Sequence, residues 1–327
     1  MLNIAVIGAG LSGLTLAHRL NNTHTVEVFE KSRGVSGRLA THYSDDASFD
    51  HGAVQFSVRD ARFLNYIERV SSSSSLDVVH EWSPITAEFD QNQLRSEAIL
   101  STPRYVASPK MNQLCKALSN DLFVHSNTHI QALTRVDEEW FIKDSDNVSY
   151  GPYDWVVSSA PSVQTAEFFH GHTTDANPFA NVIMSGCYSL MLGLSELDAP
   201  SWQLALINDD VLSKISLEHT KPERTSGYSV LIQSSNAWAE HMMNADESEV
   251  IELMMHHSQS LLSIVESDVT YRRLHRWRYA NVEAPLGRSY WLDSESQLAA
   301  CGDWCIAGRV ESAFISGYEL ADHINSM

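Results

Sequence analysis

The chain has 327 residues, of which 43% are hydrophobic and 19% charged, so it can bury a large core and should be ordered throughout. A prior of roughly 150 residues per domain predicts two domains for this length. The formal net charge of -19 repels nucleic-acid backbones and anionic membrane surfaces, which argues against both as partners.

The N-terminus and the cysteine content predict a soluble, cytoplasmic protein. Residues 1–8 are apolar but lack the basic flank of a secretory signal. No run approaches the ~18 apolar residues that a membrane-spanning helix needs. The chain has four cysteines, and Cys301 and Cys305 are too far apart for a C-x-x-C motif, so we expect buried free thiols.

The first 30 residues have the pattern of a nucleotide-binding unit. Residues 3–7 predict an apolar strand, 11–20 a helix and 25–30 a second strand. A strand, a helix and a strand in this order form a right-handed crossover of a parallel sheet. A further helical pattern at Phe63, Ile67 and Val70 is followed by a serine run at 71–75, which predicts a surface loop.

The remainder of the chain mixes short strands with helices. Strands are predicted at 129–133, 140–142, 154–157 and 271–279, and a helix at 248–262. The last helix, 310–324, should bury one side, formed by Ala313, Gly317, Leu320, Ala321 and Ile324. We predict a discontinuous nucleotide-binding domain and a substrate domain, the first made of residues 1–53, 104–161 and 295–327 and the second of 54–103 and 162–294.

A glycine motif lies between the first strand and its helix, where residues 8–13 read GAGLSG. Gly8 permits the tight turn, Gly10 lets the backbone approach a pyrophosphate, and Gly13 lets the helix pack on the sheet. Unpaired N–H groups at the helix N-terminus attract phosphate. Glu30 ends the second strand, where a carboxylate binds ribose hydroxyls. This order of elements favours dinucleotide binding over a merely structural glycine turn.

A second motif follows Glu30, where residues 31–38 read KSRGVSGR. A nicotinamide-binding Rossmann domain does not need a glycine-rich, arginine-bearing loop here. The loop resembles that of FAD proteins of the amine-oxidase type, in which a Gly-Gly-Arg stretch touches the phosphates, with Ser36 in place of the first glycine. Arg38 is the candidate for a charge-assisted bond to the pyrophosphate. The alternative is a surface loop with incidental arginines.

The third motif reads CGDWC at 301–305 and is followed by GRVESA at 308–313, which opens the last helix. In FAD oxidases a Gly-Asp pair at this place binds the ribityl chain. The following helix directs its positive end at the flavin and stabilises the negative charge of the reduced form. A capped surface helix is the alternative, but it does not account for the Gly-Asp pair.

Taken together, these motifs resemble those of the bacterial renalase family, within the amine-oxidase-like flavoproteins. The resemblance runs nearly end to end and rests on FEKSRG at 29–34, FDHGA at 49–53, RD at 59–60, KPER at 221–224, HRW at 275–277, YA at 279–280 and CGDWC at 301–305. One departure is AVQF at 53–56, where relatives usually have Ala-Gln-Tyr-Phe beside the flavin.

The resemblance implies an α/β fold, with a Rossmann-type FAD-binding domain and an α+β substrate domain on a mixed or antiparallel sheet. It implies oxidation of dihydronicotinamide dinucleotides that carry the extra hydride at ring position 2 or 6, with O2 reduced to H2O2. Such a hydride loss is driven by aromatisation, so the site needs positioning at roughly 3–3.5 Å and no base. An amine oxidase or desaturase on the same fold, a non-catalytic flavin-binding regulatory protein and an NAD(P)-dependent dehydrogenase are the alternatives.

The predicted site holds non-covalent FAD and no metal, since the histidine pairs at 170–172 and 256–257 lack further ligands at a familiar spacing. No catalytic side chain is singled out. The predicted cofactor-binding residues are Gly8, Gly10, Leu11, Ser12, Gly13, Glu30, Lys31, Gly37, Arg38, Ala53, Val54, Gln55, Ile130, Gly302, Asp303, Val310 and Glu311. Ile130 is included by resemblance alone. The predicted substrate pocket is formed by Gln55, Arg276, Trp277, Tyr279 and Trp304.

A basic run, RRLHRWR at 272–278, lies on the strand predicted at 271–279. Strand periodicity puts Arg272, Arg276 and Arg278 on one face and Arg273, His275 and Trp277 on the other. We hypothesise that one face accepts an anionic dinucleotide, which the acidic protein would otherwise repel. A charged edge strand that discourages aggregation is an equally good interpretation.

Overall fold

A computed structural model describes residues 1–74, 78–175, 177–224 and 227–327. In chain order the strands of these residues are β1 Asn3–Ile7, β2 Thr25–Phe29, β3 His42–Tyr43, β4 Ser48–Phe49, β5 Val79–Glu81, β6 Ile85–Asp90, β7 Gln93–Ile99, β8 Tyr105–Ala107, β9 Phe123–His125, β10 Ile130–Val136, β11 Glu139–Asp144, β12 Ser149–Tyr153, β13 Trp155–Ser158, β14 Ile183–Leu194, β15 Leu204–Asn208, β16 Leu212–Leu217, β17 Tyr228–Ser234, β18 Val269–Ala284, β19 Trp291–Asp293 and β20 Leu298–Ala300. The helices are α1 Leu11–Leu20, α2 Ala61–Ser74, α3 Gln113–Ser119, α4 Ser162–Phe169, α5 Asn236–His241, α6 Glu247–Ser258 and α7 Val310–Asn325.

One sheet carries the nucleotide-binding unit and has the strand order β19-β20-β13-β1-β2-β9. Its inner strands run parallel and are apolar because both faces of the sheet are covered. Val6 packs with α1 and α7 on one face, and Ile7 packs with Trp140 on the other. Gly317 of α7 allows the close helix contact, since a Cβ there would lie 2.2 Å from the carbonyl oxygen of Ser12.

A second, larger sheet has the order β18-β14-β17-β16-β15-β6-β7 and is antiparallel except between β15 and β6. Its central strand β14 alternates between two cores. Leu190 joins the core that contains residues of α6, whereas Met191 joins the core that contains β1 and α1. The second sheet therefore packs one face against the nucleotide-binding half.

The predicted fold class is confirmed: a parallel Rossmann-type sheet is joined to a mixed, largely antiparallel one. The predicted strand at 271–279 is the middle of β18, and the helix predicted at 248–262 ends at Ser258 as α6. The proposed domain bounds remain a prediction, and β19 joins the first sheet shortly before the predicted boundary at 295. None of the described helices is long and apolar enough to cross a membrane.

The loop predicted at 71–75 is wrong for its first four residues, because α2 continues to Ser74. Ser75 lies outside the described residues. The buried side chains of Phe63, Ile67 and Val70 hold the preceding turns against the core. Serine has only a small intrinsic cost in a helix, so a helix that is already anchored can extend through the run.

Candidate functional site

The glycine turn after β1 has the geometry of a phosphate-binding loop. Gly8 has φ +105°, in the left-handed region that favours glycine. Gly10 is the N-cap of α1, and no atom lies within 4 Å of where its Cβ would stand. A Cβ on Gly13 would lie 2.3 Å from the carbonyl oxygen of Gly8, so α1 packs directly on the turn. The backbone at each of the three glycines therefore has the conformation or close contact that its predicted role requires. Leu11 and Ser12 are buried in the first turn of α1.

Glu30 lies at the end of β2 with its carboxylate turned toward the glycine loop. One carboxylate oxygen accepts the N–H of Ala9 at 2.9 Å, and the other accepts that of Ser32 at 2.8 Å. Lys31 is exposed. The backbone N–H of Thr128 donates to the carbonyl oxygen of Glu30 at 2.9 Å, which brings the buried Ile130 close to this end of the sheet.

Arg38 and Asp303 join the second and third motifs across 265 positions of the chain. The guanidinium forms a two-point ion pair with the carboxylate, with one contact of 2.9 Å between Nη1 and Oδ2. The same nitrogen donates to the carbonyl oxygen of Ala280, on β18, at 3.0 Å. Residues that were assigned separately to the phosphates and to the ribityl chain thus meet at one point, together with an edge of the second sheet.

Ser36 has a backbone conformation that suits glycine, with φ +130°. It stands where the resembling family has the first glycine of its Gly-Gly-Arg stretch. The residue is 1% exposed, and its hydroxyl has no hydrogen-bond partner among the described residues. The adjacent Gly37 is exposed and also has positive φ, of +53°. A buried, unpaired hydroxyl beside the open space at Gly10, to which Ser36 is bridged, fits a groove that receives a polar ligand.

The segment 52–55 forms a wall beside Arg38. The N–H of Ala53 donates to the carbonyl oxygen of Arg38 at 2.9 Å, and a Cβ on Gly52 would lie 2.0 Å from the same oxygen. Val54 is buried in the core, whereas the buried Oε1 of Gln55 has no partner among the described residues. Of the two residues that depart from the family pattern, Val54 therefore serves packing, and Gln55 has an oxygen left to bind a ligand.

The start of α7 carries two of the predicted cofactor-binding residues, Val310 and Glu311. Val310 is half-buried in the first turn of the helix, as a helix-terminus site requires. The carboxylate of Glu311, however, accepts the backbone N–H groups of Arg59 at 2.5 Å and Asp60 at 2.7 Å. Through Oε1 it therefore holds the chain just before α2, and its contact with a cofactor stays a prediction. Gly302, just upstream, is fixed by its N–H to the Ser316 hydroxyl at 2.8 Å.

The residues that were predicted to form the substrate pocket lie in different parts of the structure. Trp304 is 1% exposed and its indole N–H donates to the carbonyl oxygen of Ala160, so it belongs to the core and does not line a pocket. Arg276 lies over the ring of Tyr188, at 5.7 Å. Tyr188 belongs to the core between the second sheet and α6. Trp277 and Tyr279 remain half-buried on the part of β18 near Ala280.

A cluster of histidines was missed by sequence reasoning. The rings of His51 and His275 lie 4.5 Å apart, and those of His51 and His42 lie 6.4 Å apart. The His51 ring stacks on Trp277 at 5.1 Å, and the indole N–H donates to the His51 carbonyl oxygen at 2.8 Å. The basic run on β18 and the FDHGA motif were both visible in the sequence, but their contact depends on tertiary packing.

A buried ionic network lies next to this cluster and was also missed. The Lys221 ammonium is 3.0 Å from the Asp50 carboxylate and 2.7 Å from that of Glu218, and Arg224 pairs with Asp50 as well. Burial alone would raise the pKa of Asp50, but the cations of Lys221 and Arg224 and the hydroxyl of Thr41 bring it below its ordinary value. The network ties the FDHGA motif to the KPER motif.

Cys301 and Cys305 are free and buried, as expected. Burial raises the pKa of the Cys301 thiol to about 12. A thiol in this state is not a nucleophile at neutral pH, so the pair supplies packing beside the Gly-Asp turn.

Comparisons with known proteins agree with this geometry. The sequence profile of an NAD(P)-binding Rossmann-like domain matches residues 6–69. The 4,4'-diapophytoene desaturase (4,4'-diaponeurosporene-forming) of Staphylococcus haemolyticus is 35% identical over 88 residues, which are 27% of this chain and only 17% of that protein. The chain thus matches well under two thirds of this relative's length.

Two crystal structures share the whole fold. A candidate protoporphyrinogen oxidase from Exiguobacterium sp. 255-15 has a TM-score of 0.80 at 8% identity, with 99% of each chain covered. Reduced UDP-galactopyranose mutase has a TM-score of 0.78 at 11% identity, with 100% of this chain and 96% of that chain covered. The chain therefore shares the fold of both of these structures, and its N-terminal residues match a Rossmann-like NAD(P)-binding domain.

Proposed function

We propose that the chain binds FAD non-covalently and is an FAD-dependent oxidoreductase. The observation that carries this proposal is the meeting of Arg38 and Asp303, which joins the second motif to the Gly-Asp pair ahead of α7. The second motif is in turn bridged to the glycine turn between Ser36 and Gly10. The unpaired oxygens of Ser36 and Gln55 and the open space at Gly10 support a polar ligand in the groove at this place. The desaturase relative and the two fold neighbours support an oxidoreductase of this class.

In this proposal, different residues of the groove bind different parts of FAD. The N-terminus of α1 and Gly10 hold the pyrophosphate, and Glu30 holds the adenosine ribose. Gly302 and Asp303 hold the ribityl chain, and Arg38 neutralises both Asp303 and the phosphates. The dipole of α7, entered at Val310, stabilises negative charge at its N-terminal end. When bound, FAD supplies the acceptor for a hydride.

For the substrate we propose a dihydronicotinamide dinucleotide with its extra hydride at ring position 2 or 6, following the resemblance to bacterial renalases. The overall reaction is the dihydropyridine plus O2 plus one proton giving NAD(P)+ and H2O2. Aromatisation drives hydride loss, so the chain must mainly position the ring and exclude water. Trp277 and Tyr279, half-buried on β18 near Ala280, are the aromatic surfaces proposed for this task.

A desaturase or amine oxidase on the same fold is the second candidate, favoured by the 35% identity to the diapophytoene desaturase over 88 residues. Such a substrate would require an apolar pocket. The buried Val54 next to the wall at Arg38 is compatible with that, whereas the unpaired oxygen of Gln55 favours a polar substrate.

One experiment separates these candidates. Purified protein is first examined for flavin absorbance and for FAD released on denaturation, and is then mixed anaerobically with 2- and 6-dihydro isomers of NAD(P) and with a panel of amines. We expect yellow protein that bleaches with a dihydronicotinamide isomer and recovers its colour with O2, forming H2O2. Colourless protein that cannot be reconstituted with FAD would refute the cofactor proposal.

A matched pair of variants checks that the groove is the flavin site. Glu30→Ala should weaken FAD binding by about tenfold or more, since charge-assisted bonds to ribose contribute about 1.5–3 kcal/mol. Glu138→Ala, whose side chain is 91% exposed, should leave FAD binding unchanged.

In the anaerobic assay, bleaching by an amine alone would replace the dihydronicotinamide proposal with the second candidate.

A further inference from the structure

A group of imidazoles and a guanidinium lies next to the proposed flavin groove. Its parts are the imidazole cluster, defined as His42, His51 and His275, and the guanidinium of Arg273. The Nε2 atom of His42 and the hydroxyl of Tyr271 are 2.5 Å apart, which anchors one side of the cluster to β18. The His51–His275 contact at 4.5 Å forms the other side.

The register of β18 decides which basic residues face this cluster. Leu274 pairs with Leu190 and belongs to the core on the helical side of the sheet, so its neighbours in the strand face the other way. Arg273 pairs with Met191, and His275 pairs with Ser189, whose hydroxyl donates to the His51 carbonyl oxygen at 2.7 Å. Arg273 and His275 therefore lie on the face toward the nucleotide-binding half.

The opposite basic face is engaged elsewhere. Arg272 pairs with Glu266 at 2.6 Å, and Arg276 lies over Tyr188. Of the two hypothesised faces of the basic run, only the one with Arg273 and His275 adjoins the site. This also provides a matched control, because Arg272 and Arg273 are adjacent, exposed and of the same type.

The charge state of the cluster indicates the sign of its ligand. Burial, together with neighbouring positive groups, lowers the pKa of His51 to about 3 and that of His275 to about 4, so both imidazoles are neutral at pH 7. Arg273 is exposed and does not appear among the ion pairs of the described residues.

A second observation points to a ligand. The Nδ1 atom of His51 is buried and has no hydrogen-bond partner among the described residues, in a residue that is only 7% exposed. Buried polar atoms in native proteins nearly always have a partner, so this unpaired nitrogen calls for a ligand or an ordered water. Within the described residues no group of histidine, cysteine and acidic side chains is arranged to hold a metal ion, which disfavours a cation.

We infer that Arg273, with His51 and His275, binds an oxyanion of the substrate, either a phosphate or a carboxylate. The pocket adjoins Gly52 and Ala53, which contact Arg38, so a substrate held there reaches the wall of the proposed flavin groove. The inference rests on the proposed function in that the bound anion is taken to belong to the molecule that is oxidised. It extends the proposed function by naming an oxyanion as the part of the substrate that the chain recognises.

Isothermal titration calorimetry tests the inference on purified protein whose flavin content is known from its spectrum. Inorganic phosphate, pyrophosphate and acetate are titrated at constant ionic strength into the wild type, Arg273→Gln and Arg272→Gln. We expect saturable binding of at least one anion by the wild type, weakened about tenfold or more in Arg273→Gln and unchanged in Arg272→Gln. The phosphate and acetate arms show which oxyanion the pocket prefers.

Two results would overturn the inference: no saturable heat with any anion, or equal affinity in Arg273→Gln and Arg272→Gln. In turnover, the same pair of variants should differ in KM far more than in kcat, which a merely structural role of Arg273 would not produce. The calorimetric result does not depend on flavin, so colourless protein would refute the proposed function while the anion titration stays interpretable.

Discussion

Asp50 and His51 are neighbours in the chain, yet their side chains belong to two buried polar clusters of opposite character. Asp50 lies in a network in which two carboxylates, those of Asp50 and Glu218, face two cations, those of Lys221 and Arg224. All four side chains are at most 2% exposed. His51 lies instead among imidazoles, its Nδ1 has no hydrogen-bond partner among the described residues, and the exposed Arg273 is nearby.

The two clusters differ in how far their polar groups are paired within the chain. Opposite charges that bond each other hold the two halves of the chain together, although Nε and Nη1 of Arg224 have no hydrogen-bond partner among the described residues. A buried polar atom without a partner, such as Nδ1 of His51, carries a desolvation cost that a ligand can offset. A single peptide unit after β4 connects the two clusters, so the ionic network also positions the imidazole cluster.

Breaking the ionic network should have the largest effect. Asp50→Ala leaves Lys221 and Arg224 buried without a counter-charge, and we expect a loss of about 3–5 kcal/mol in the free energy of unfolding. Asp90→Ala is the control, because Asp90 pairs with Arg95 at a surface where the two side chains are 46% and 54% exposed. That variant should lose much less, because exposed ion pairs contribute little to stability. Urea unfolding followed by circular dichroism measures both, and equal losses would contradict the assignment.

Acidification should affect the imidazole cluster before it affects the ionic network. The folded-state pKa values of His51 and His275, about 3 and about 4, lie below the ordinary value of 6.5. The unfolded chain therefore binds more protons between these values, and stability falls as the pH drops from 6.5 toward 4. Each histidine contributes up to about 1.4 kcal/mol per pH unit.

The double variant His51→Gln/His275→Gln should show a flatter dependence of the melting temperature on pH in this window. The lowered pKa of Asp50 adds a loss only at more acidic pH, as the pH falls below the ordinary value of 3.8. His256→Gln on the exposed side of α6 is the control. A wild type and double variant with parallel profiles would show that the two histidines titrate normally.

The smallest expected effect concerns Ser36. Its φ of +130° costs a serine about 1–3 kcal/mol, whereas glycine adopts it freely at a smaller entropic cost in the unfolded chain. Ser36→Gly should therefore stabilise the protein by about 1 kcal/mol, and Ser32→Gly, at an exposed position without positive φ, should not. Thermal unfolding of both variants decides the matter, and a destabilised Ser36→Gly would mean that the lost hydroxyl matters more than the strain.

Much of the nucleotide-binding half could be predicted because its signals are local. The glycine spacing (Gly8, Gly10 and Gly13) and the acid that ends β2 specify the local backbone conformation within a short stretch of chain. The role of Trp304 could not be predicted, since a tryptophan after the Gly-Asp pair is equally compatible with a pocket wall and with the core. Its indole is turned inward by its hydrogen bond to Ala160, and this contact spans 144 positions.

The sequence by itself determined the class of fold, the glycine turn, the two arginine-bearing motifs and the acidic surface of the protein, because each depends on short-range pattern or on composition. Only the tertiary structure decided that Arg38 meets Asp303, that Glu311 holds the start of α2, and that Arg273 rather than Arg272 faces the site. Such pairings follow from sheet register and from packing between distant segments. A shift of one residue in β18 would exchange the two basic faces, and no local pattern in the chain specifies that register.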